Sequence, residues 1–301
     1  MSAASGPPAR PVFLGTSDFA AAVLDRLAAS SHRPVLVVTR PDRPRGRGRR
    51  LTAPPVAETA RALGIDLYQP ESVNDDATRA RIAAAQPDVI CVCAFGALIK
   101  EPLLSDHEMV NVHPSLLPRW RGAAPIERAI MAGDDETGVS IMRVTAGLDS
   151  GPVCLQESEP IEPTDTYGTL AARLEPLGGE LLVRALEKRP PFRDQDEEGA
   201  TYAQKLEPAD RRLDPERPAA ELDRVVRALT PHVGAYVDLA DGERLGVREA
   251  AVLPDGPPAG TLALEGARPV LGCSVGALEL VAVQRPGRRV MSGEDYLRGL
   301  R

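Results

Sequence analysis

The amino-acid sequence predicts an α/β protein: a Rossmann-like, mostly parallel sheet domain followed by a small C-terminal domain of β-barrel or sandwich type. Three observations predict it. Over the first 150 residues, short and nearly continuous apolar runs alternate with stretches of helical spacing, the pattern of strands covered on both faces by crossover helices. An acidic, polar segment, 193–210, then interrupts that pattern. The remaining stretch carries one amphipathic helix and several short strand-like runs separated by turn signals. The expected organisation is a catalytic domain over 1–192, a linker over 193–210 and a second domain over 211–301.

The elements follow in order. PVFLG (11–15) reads as a strand and SDFAAAVLDRLAAS (17–30) as a helix with Ser17 or Asp18 near its N-cap. PVLVVT (34–39) is a second strand, and VAETARAL (56–63) a helix closed by Gly64. A helix over 76–85 leads to the strand DVICVCAF (88–95). VNVH (110–113) and VSIMRVT (139–145) are further strands, with a helix over 124–133 between them. In the last part, ELDRVVRAL (221–229) is helical, and 234–239, 245–253, 268–273 and 277–284 are of strand type.

The bulk numbers narrow the class. Hydrophobic residues make up 43% and charged residues 26%, as in ordinary water-soluble domains. The longest nearly apolar run, DVICVCAFGALI (88–99), is too short to cross a bilayer, and MSAASGPPARP lacks the apolar core of a secretory signal. Cys91, Cys93, Cys154 and Cys273 match neither a disulfide ladder nor a zinc pattern, so reduced thiols, a cytoplasmic setting and no metal are expected. A monomer with no membrane partner is also expected. FLGTSDFA (13–20) has one glycine after the first strand, which argues against a dinucleotide site.

Charge is unevenly spread. The chain carries a formal −7, yet RPDRPRGRGRR (40–50) holds six arginines against Asp42. Four of its eleven residues are Pro or Gly, so neither helix nor strand is expected there. A basic patch on a negative body suits selective contact with phosphates rather than diffuse binding to nucleic acid.

The chemical signal lies in NVHPSLLPRWRGAAP (111–125) and TAGLDSGPV (145–153). A strand delivers Asn111 and His113 to one face by its period of two and stops at Pro114. The next strand leads to a Gly-rich turn exposing Asp149, so all three polar groups are expected at carboxyl ends of strands, where open α/β sheets place their sites. Asn, His and Asp together suit acyl transfer to an amine. Asn111 and His113 would donate to the developing oxyanion, and Asp149 would fix the imidazole tautomer. No serine or cysteine sits in a nucleophile elbow, so direct transfer is the simpler route.

NVHPSLLPRWRGAAP followed by GDDETGVSIMRVTAGLDSGPV resembles the folate-dependent formyltransferases. FLGTSDFA, RPDRPRGRG and TYAQKL extend the resemblance over most of the chain, toward those members that act on methionyl initiator tRNA. It implies that Asn111, His113 and Asp149 are catalytic and that 10-formyltetrahydrofolate is the cosubstrate. It also implies a folate pocket lined by Ser115, Leu116, Leu117 and Pro118, with Cys93, Phe95 and Gly96 as another wall. Initiator methionyl-tRNA is the implied partner, reached through Arg43, Arg45, Arg47, Arg49 and Arg50 and through a C-terminal barrel resembling an OB-fold. Three relatives of the same chemistry compete: glycinamide ribonucleotide formyltransferases, sugar-nucleotide N-formyltransferases and formyltetrahydrofolate hydrolases. The first usually has a phosphate-cradling turn at strand one, and the other two have no use for the arginine segment. A noncatalytic RNA-binding protein would have no reason to keep the three polar residues.

Overall fold

A computed structural model describes residues 8–45, 48 and 50–300. The chain divides into two compact units. The first comprises Met1–Gly122, Thr137–Glu159 and Ala172–Tyr202; the second comprises Ala123–Glu136, Pro160–Ala171 and Ala203–Arg301.

In the first unit, β1 (Pro11–Gly15) is buried along its whole length, as its unbroken apolar sequence dictates. α1 (Asp18–Ala28) follows, with the Ser17 side chain accepting from the Ala20 N–H at its start. β2 (Leu36–Val38) comes next, and then β3 (Arg43–Arg45) and β4 (Arg50–Thr52). α2 (Pro55–Ala62), β5 (Leu67–Tyr68), α3 (Asp76–Ala84), β6 (Val89–Cys93), α4 (Leu103–Asp106), β7 (Met109–His113) and β8 (Arg121–Gly122) continue the chain. α5 (Pro125–Ala132) belongs to the second unit, and β9 (Glu136–Arg143) and β10 (Val153–Pro160) complete the main sheet.

That sheet has seven strands in the order β10-β9-β7-β6-β1-β2-β5. β5, β2, β1, β6 and β7 are mutually parallel, and β9 runs antiparallel to β7, pairing Val110 with Arg143 and His113 with Ser140. One core lies against Val12, Leu14, Leu36, Ile90 and Phe95. Gly15 is a position where only glycine fits, because a Cβ there would stand 2.9 Å from Ala20 Cβ and 3.0 Å from the Cys93 carbonyl oxygen.

The structure changes three expectations. The arginine segment is not free of regular structure: β3 and β4 form an antiparallel ribbon pairing Arg43 with Thr52 and Arg45 with Arg50. Of its Pro and Gly residues only Pro44 falls within a described strand, where it stands opposite Leu51. Arg47 and Arg49 lie outside the described residues. Secondly, because β9 is antiparallel, its carboxyl end falls beside the amino end of β7, and Asp149 does not simply follow a carboxyl-end strand terminus. Thirdly, β10 and the 22-residue helix α6 (Tyr167–Lys188) fill a stretch for which the sequence predicted no element.

The second unit begins its C-terminal stretch in β11 (Tyr202–Ala203) and a 3-10 turn at Pro208–Arg211. α7 (Ala219–Ala228), β12 (Ala235–Asp238), β13 (Arg244–Leu253), β14 (Leu262–Ala263), β15 (Val270–Gly272), β16 (Ala277–Gln284), β17 (Met291–Ser292) and α8 (Gly293–Arg298) follow. β12, β13, β16, β15 and β14 pair in that order, with β17 also on β16, and the registered pairs are antiparallel. Leu222, Val226, Leu245, Val247, Leu278 and Leu280 form the centre of its core. Within this unit α5 is held beside α7: Arg224 Nε donates to the Met131 carbonyl, and Arg128 meets Asp210 through two hydrogen bonds of 2.9 Å. Among the described residues, no helix is long and apolar enough to cross a membrane.

Candidate active site

β7 is the strand on which the site is built. Its hydrogen bonds to β6 on one side and β9 on the other fix Asn111 between Val92 and Met142, and His113 opposite Ser140. Asn111 and His113 therefore share a face, as expected, while Val110 and Val112 turn to the other. Asn111 is half-buried, and no described residue hydrogen-bonds its side-chain amide. His113 is 3% exposed.

Two contacts define the imidazole. Nε2 lies 2.8 Å from the Trp120 carbonyl oxygen, which only accepts, so Nε2 carries the hydrogen. Nδ1 then bears the free lone pair of the neutral ring and faces Asp149 Oδ2 at 3.7 Å. That gap is too long for a hydrogen bond, but it places any proton taken up at Nδ1 beside a carboxylate. The tautomer is thus set by the Trp120 carbonyl, which corrects the expectation that Asp149 sets it.

Asp149 reaches this position by a fold-back. From the carboxyl end of β9 beside Val110, the segment 144–152 returns along the sheet until Asp149 Oδ2 accepts from the Gly122 N–H at 2.9 Å. Asp149 holds a φ of 45°, a left-handed conformation that Asp tolerates better than most residues. Two residues on, a Cβ at position 151 would meet the Arg143 carbonyl at 2.0 Å, so Gly151 permits the return.

The loop after β7 is held from below by Ser140, a residue with no exposure. Its hydroxyl donates to the Ser115 carbonyl at 2.5 Å and accepts from the Leu117 N–H at 3.1 Å. Gln156 Nε2 adds bonds to Ser140 Oγ (2.9 Å) and to the Leu117 carbonyl (2.7 Å). Ser115 is itself fully buried, its hydroxyl donating to the Arg119 carbonyl at 2.6 Å, and Leu117 is 5% exposed. Leu116 and Pro118 are half-buried. Nothing in HPSLLP marks Ser140 or Gln156 as the loop's supports; they lie on β9 and β10.

The other expected wall lies at the carboxyl ends of β1 and β6. The Phe95 carbonyl accepts from Thr16 Oγ1 at 2.8 Å, and the Gly96 carbonyl from Arg40 at 3.0 Å. Phe95 is 5% exposed and joins the core, while Cys93 is fully buried. Burial pushes the Cys93 thiol far above its ordinary value and the Cys91 thiol up to about 12, while Cys154 is pushed up to about 11, again by burial. Thiols held protonated in this way are poor nucleophiles.

On the ribbon, Arg43 is exposed and its guanidinium pairs with Glu71 at 2.6 Å. Arg50 is exposed as well.

The segment 193–202, expected to be a spacer, supplies residues that sequence reasoning missed. Gln195 Nε2 donates to the Asp149 carbonyl at 2.8 Å and to the Gly151 carbonyl at 2.7 Å. Thr201 Oγ1 accepts from the Trp120 N–H at 2.9 Å. Arg121, 1% exposed, joins Gln195 to Glu197, with its NH1 and NH2 meeting the Glu197 carboxylate at 3.0 and 2.8 Å. This fork holds the Glu197 carboxyl below the usual carboxylate range.

A single strand therefore presents an amide donor and an imidazole beside a carboxylate, an arrangement able to handle the charge and the proton of an acyl transfer. Comparison with known proteins agrees with that class. The formyl transferase family model matches residues 9–186, and the model for the formyl transferase C-terminal domain matches 205–301. Together they define the class of the molecule, a formyl transferase. A methionyl-tRNA formyltransferase of Gluconobacter oxydans is 43% identical over 297 residues, covering 96% of each chain. Another, of Stenotrophomonas maltophilia, is 45% identical over 302 residues, covering 97% of this chain and 98% of its own. The chain belongs to the methionyl-tRNA formyltransferase family.

Solved structures share the fold at lower identity. HypX from Aquifex aeolicus, in complex with tetrahydrofolic acid, aligns with a TM-score of 0.63 at 18% identity over 96% of this chain and 47% of its own. This chain therefore spans about half the length of that protein. An N-formyltransferase of Helicobacter canadensis, in complex with folinic acid and dTDP-3-aminofucose, aligns with a TM-score of 0.66 at 13% identity, covering 90% of this chain and 99% of its own.

Proposed function

We propose that the protein transfers the formyl group of 10-formyltetrahydrofolate to the α-amino group of methionyl initiator tRNA, at Asn111, His113 and Asp149. The observation that carries the chemistry is the disposition of His113: Nε2 tied to the Trp120 carbonyl, and Nδ1 open toward Asp149. Its position beside Asn111 on one face of β7 completes the set. The full-length relatives named for methionyl-tRNA support the choice of acceptor.

In this reading 10-formyltetrahydrofolate supplies the formyl group, and the protein's residues handle charge and proton. Asn111 offers its amide N–H to the carbonyl oxygen as the amine adds and negative charge develops there; such a donor contributes on the order of 3 kcal/mol. The proton that the amine sheds is received at His113 Nδ1, where the Asp149 carboxylate stabilises the resulting imidazolium. The same proton then passes to the departing folate nitrogen. The hydroxyls of Ser115 and Ser140 are committed to carbonyls, and Cys93 stays protonated, so the amine attacks directly rather than through an acyl-enzyme.

The buried loop from Ser115 to Pro118 and the stretch from Cys93 to Gly96 serve the folate chiefly through backbone and through the half-buried Leu116 and Pro118. Ser115 and Cys93 have no exposed side chain to offer. The ribbon carrying Arg43 and Arg50, together with Arg45, Arg47 and Arg49, takes the acceptor end of the tRNA. The test is acceptor choice: labelled donor is offered with methionyl initiator tRNA, an amino-sugar nucleotide or glycinamide ribonucleotide. Formylation of the tRNA alone is the expected result. Transfer to either other amine, with none to tRNA, would sink the proposal.

A further inference from the structure

We infer that Gln195 is a positioning residue for the reaction, holding Asp149 at its working distance from His113 through the Asp149 backbone. The inference rests on the reading of Asp149 as part of the acyl-transfer site.

The Asp149 turn has few supports of its own. It sits at the far end of a fold-back, in a left-handed conformation, and among the described residues its side chain accepts one hydrogen bond, from the Gly122 N–H. Such a turn keeps one geometry only when its surroundings over-determine it. Gln195 does so from outside, donating both hydrogens of its amide to the carbonyls of Asp149 and Gly151. The Asp149 carbonyl belongs to the peptide unit that leaves the Asp149 Cα, and the Gly151 carbonyl lies two residues further on, so the pair pins the C-terminal side of the turn.

The amide is itself oriented. Gln195 Oε1 accepts from Arg121 Nε at 3.0 Å, which fixes which end of the amide faces the turn. Arg121 is locked in turn by the bidentate Glu197 pair and by its backbone N–H, which donates to the Thr201 carbonyl at 2.9 Å. Thr201 also holds the Trp120 N–H, and the Trp120 carbonyl holds His113 Nε2. One segment, 195–201, therefore secures both partners: Asp149 through Gln195, and His113 through Thr201 and Trp120. A polar stretch of this kind serves poorly as a spacer and well as a brace. Because the His113–Asp149 gap is 3.7 Å with no direct bond across it, that distance depends on the groups that hold each partner: the brace, together with the Gly122 N–H on the Asp149 carboxylate and the β7 ladder under His113.

A double-mutant cycle tests the inference, using the full chain and reading kcat and KM for formyl transfer. Gln195→Ala is expected to lower kcat by roughly 10- to 100-fold, the scale for misplacing a catalytic group by about an ångström, with KM for tRNA within about threefold. Gln195→Glu keeps an acceptor for Arg121 and loses both donations. It is expected to lower kcat as much, although its shape and its contact with Arg121 remain. In the Asp149→Asn background, adding Gln195→Ala is expected to change kcat by less than about twofold, since the group being positioned has gone.

Outcomes separate cleanly. An equal loss in both backgrounds overturns the positioning role while leaving Asp149 catalytic, and wild-type kcat in Gln195→Glu does the same. An unimpaired Asp149→Asn overturns the catalytic reading and the inference with it. Should Gln195→Ala fail to fold, Gln195→Glu and its cycle with Asp149→Asn decide the matter.

Discussion

Replacing Asn111 by alanine tests its proposed donor role at little cost in stability. Asn111 is half-buried in the middle of β7, with ladder partners on both sides that hold the backbone whatever its side chain. Because no described residue hydrogen-bonds its amide, truncation leaves no buried partner unsatisfied. The stability cost should stay under about 1 kcal/mol. If the amide donates to the developing oxyanion, its loss removes about 2.7–4 kcal/mol of transition-state stabilisation. At about 1.4 kcal/mol per tenfold, kcat falls by roughly 10²- to 10³-fold. The assay is steady-state formylation of methionyl-tRNA at saturating donor, with thermal unfolding of both proteins recorded alongside. A kcat within about threefold of wild type would refute the donor role. So would a loss appearing wholly in KM, which would make Asn111 a ground-state binder.

Other outcomes follow from the same geometry. Gly151→Ala must push a methyl against the Arg143 carbonyl and displace the Asp149 turn; kcat should fall at least tenfold while tRNA affinity, read by filter binding, holds. Arg43→Ala with Arg50→Ala should flatten the log–log salt dependence of tRNA binding by roughly 0.7 to 0.9 for each phosphate no longer neutralised. Glu71→Gln, which frees Arg43 from its ion pair, should strengthen binding instead, and an unchanged slope in the arginine variant would remove the ribbon from the tRNA interface. The Glu197 carboxyl lies below its ordinary value because Arg121 hydrogen-bonds it, so its stabilisation is present above about pH 4.3 and is lost as pH falls through the lowered value. The melting temperatures of wild type and Glu197→Gln should therefore differ at neutral pH and converge in acid.

Much of the fold was legible because the parallel strands are apolar on both faces: PVFLG and VICVC can only be buried. What escaped had specific causes. Apolar patterning carries no strand direction, so the antiparallel β9, and with it the fold-back of Asp149, left no local trace. β10, with the sequence VCLQESEP, is an edge strand whose partly exposed polar residues disguise it. α6 contains Pro176, Gly178 and Gly179, which read as breakers. Two of these breakers have packing roles, since a Cβ at Gly178 would stand 3.0 Å from Val112 and one at Gly179 would stand 2.7 Å from Arg26.

The site divides along the same line. Asn111 and His113 share a strand, and their spacing of two was enough to place them on one face. Asp149 could be named but not routed. Gln195, Arg121 and Thr201 were invisible, since their roles depend on hydrogen bonds to backbone groups that are more than 40 residues away in sequence or reached through a third residue. The basic segment was recognised by charge, whereas its ribbon form depends on pairing that charge does not encode.

Direct formyl transfer at His113 is decided by a rapid-quench single turnover, with labelled 10-formyltetrahydrofolate, methionyl initiator tRNA and excess enzyme. Label is expected to pass straight from donor to the methionyl amino group, with none on the protein, and His113→Ala to slow this step by orders of magnitude while still binding tRNA. Label accumulating on the protein, or an undiminished rate in the variant, would contradict that expectation.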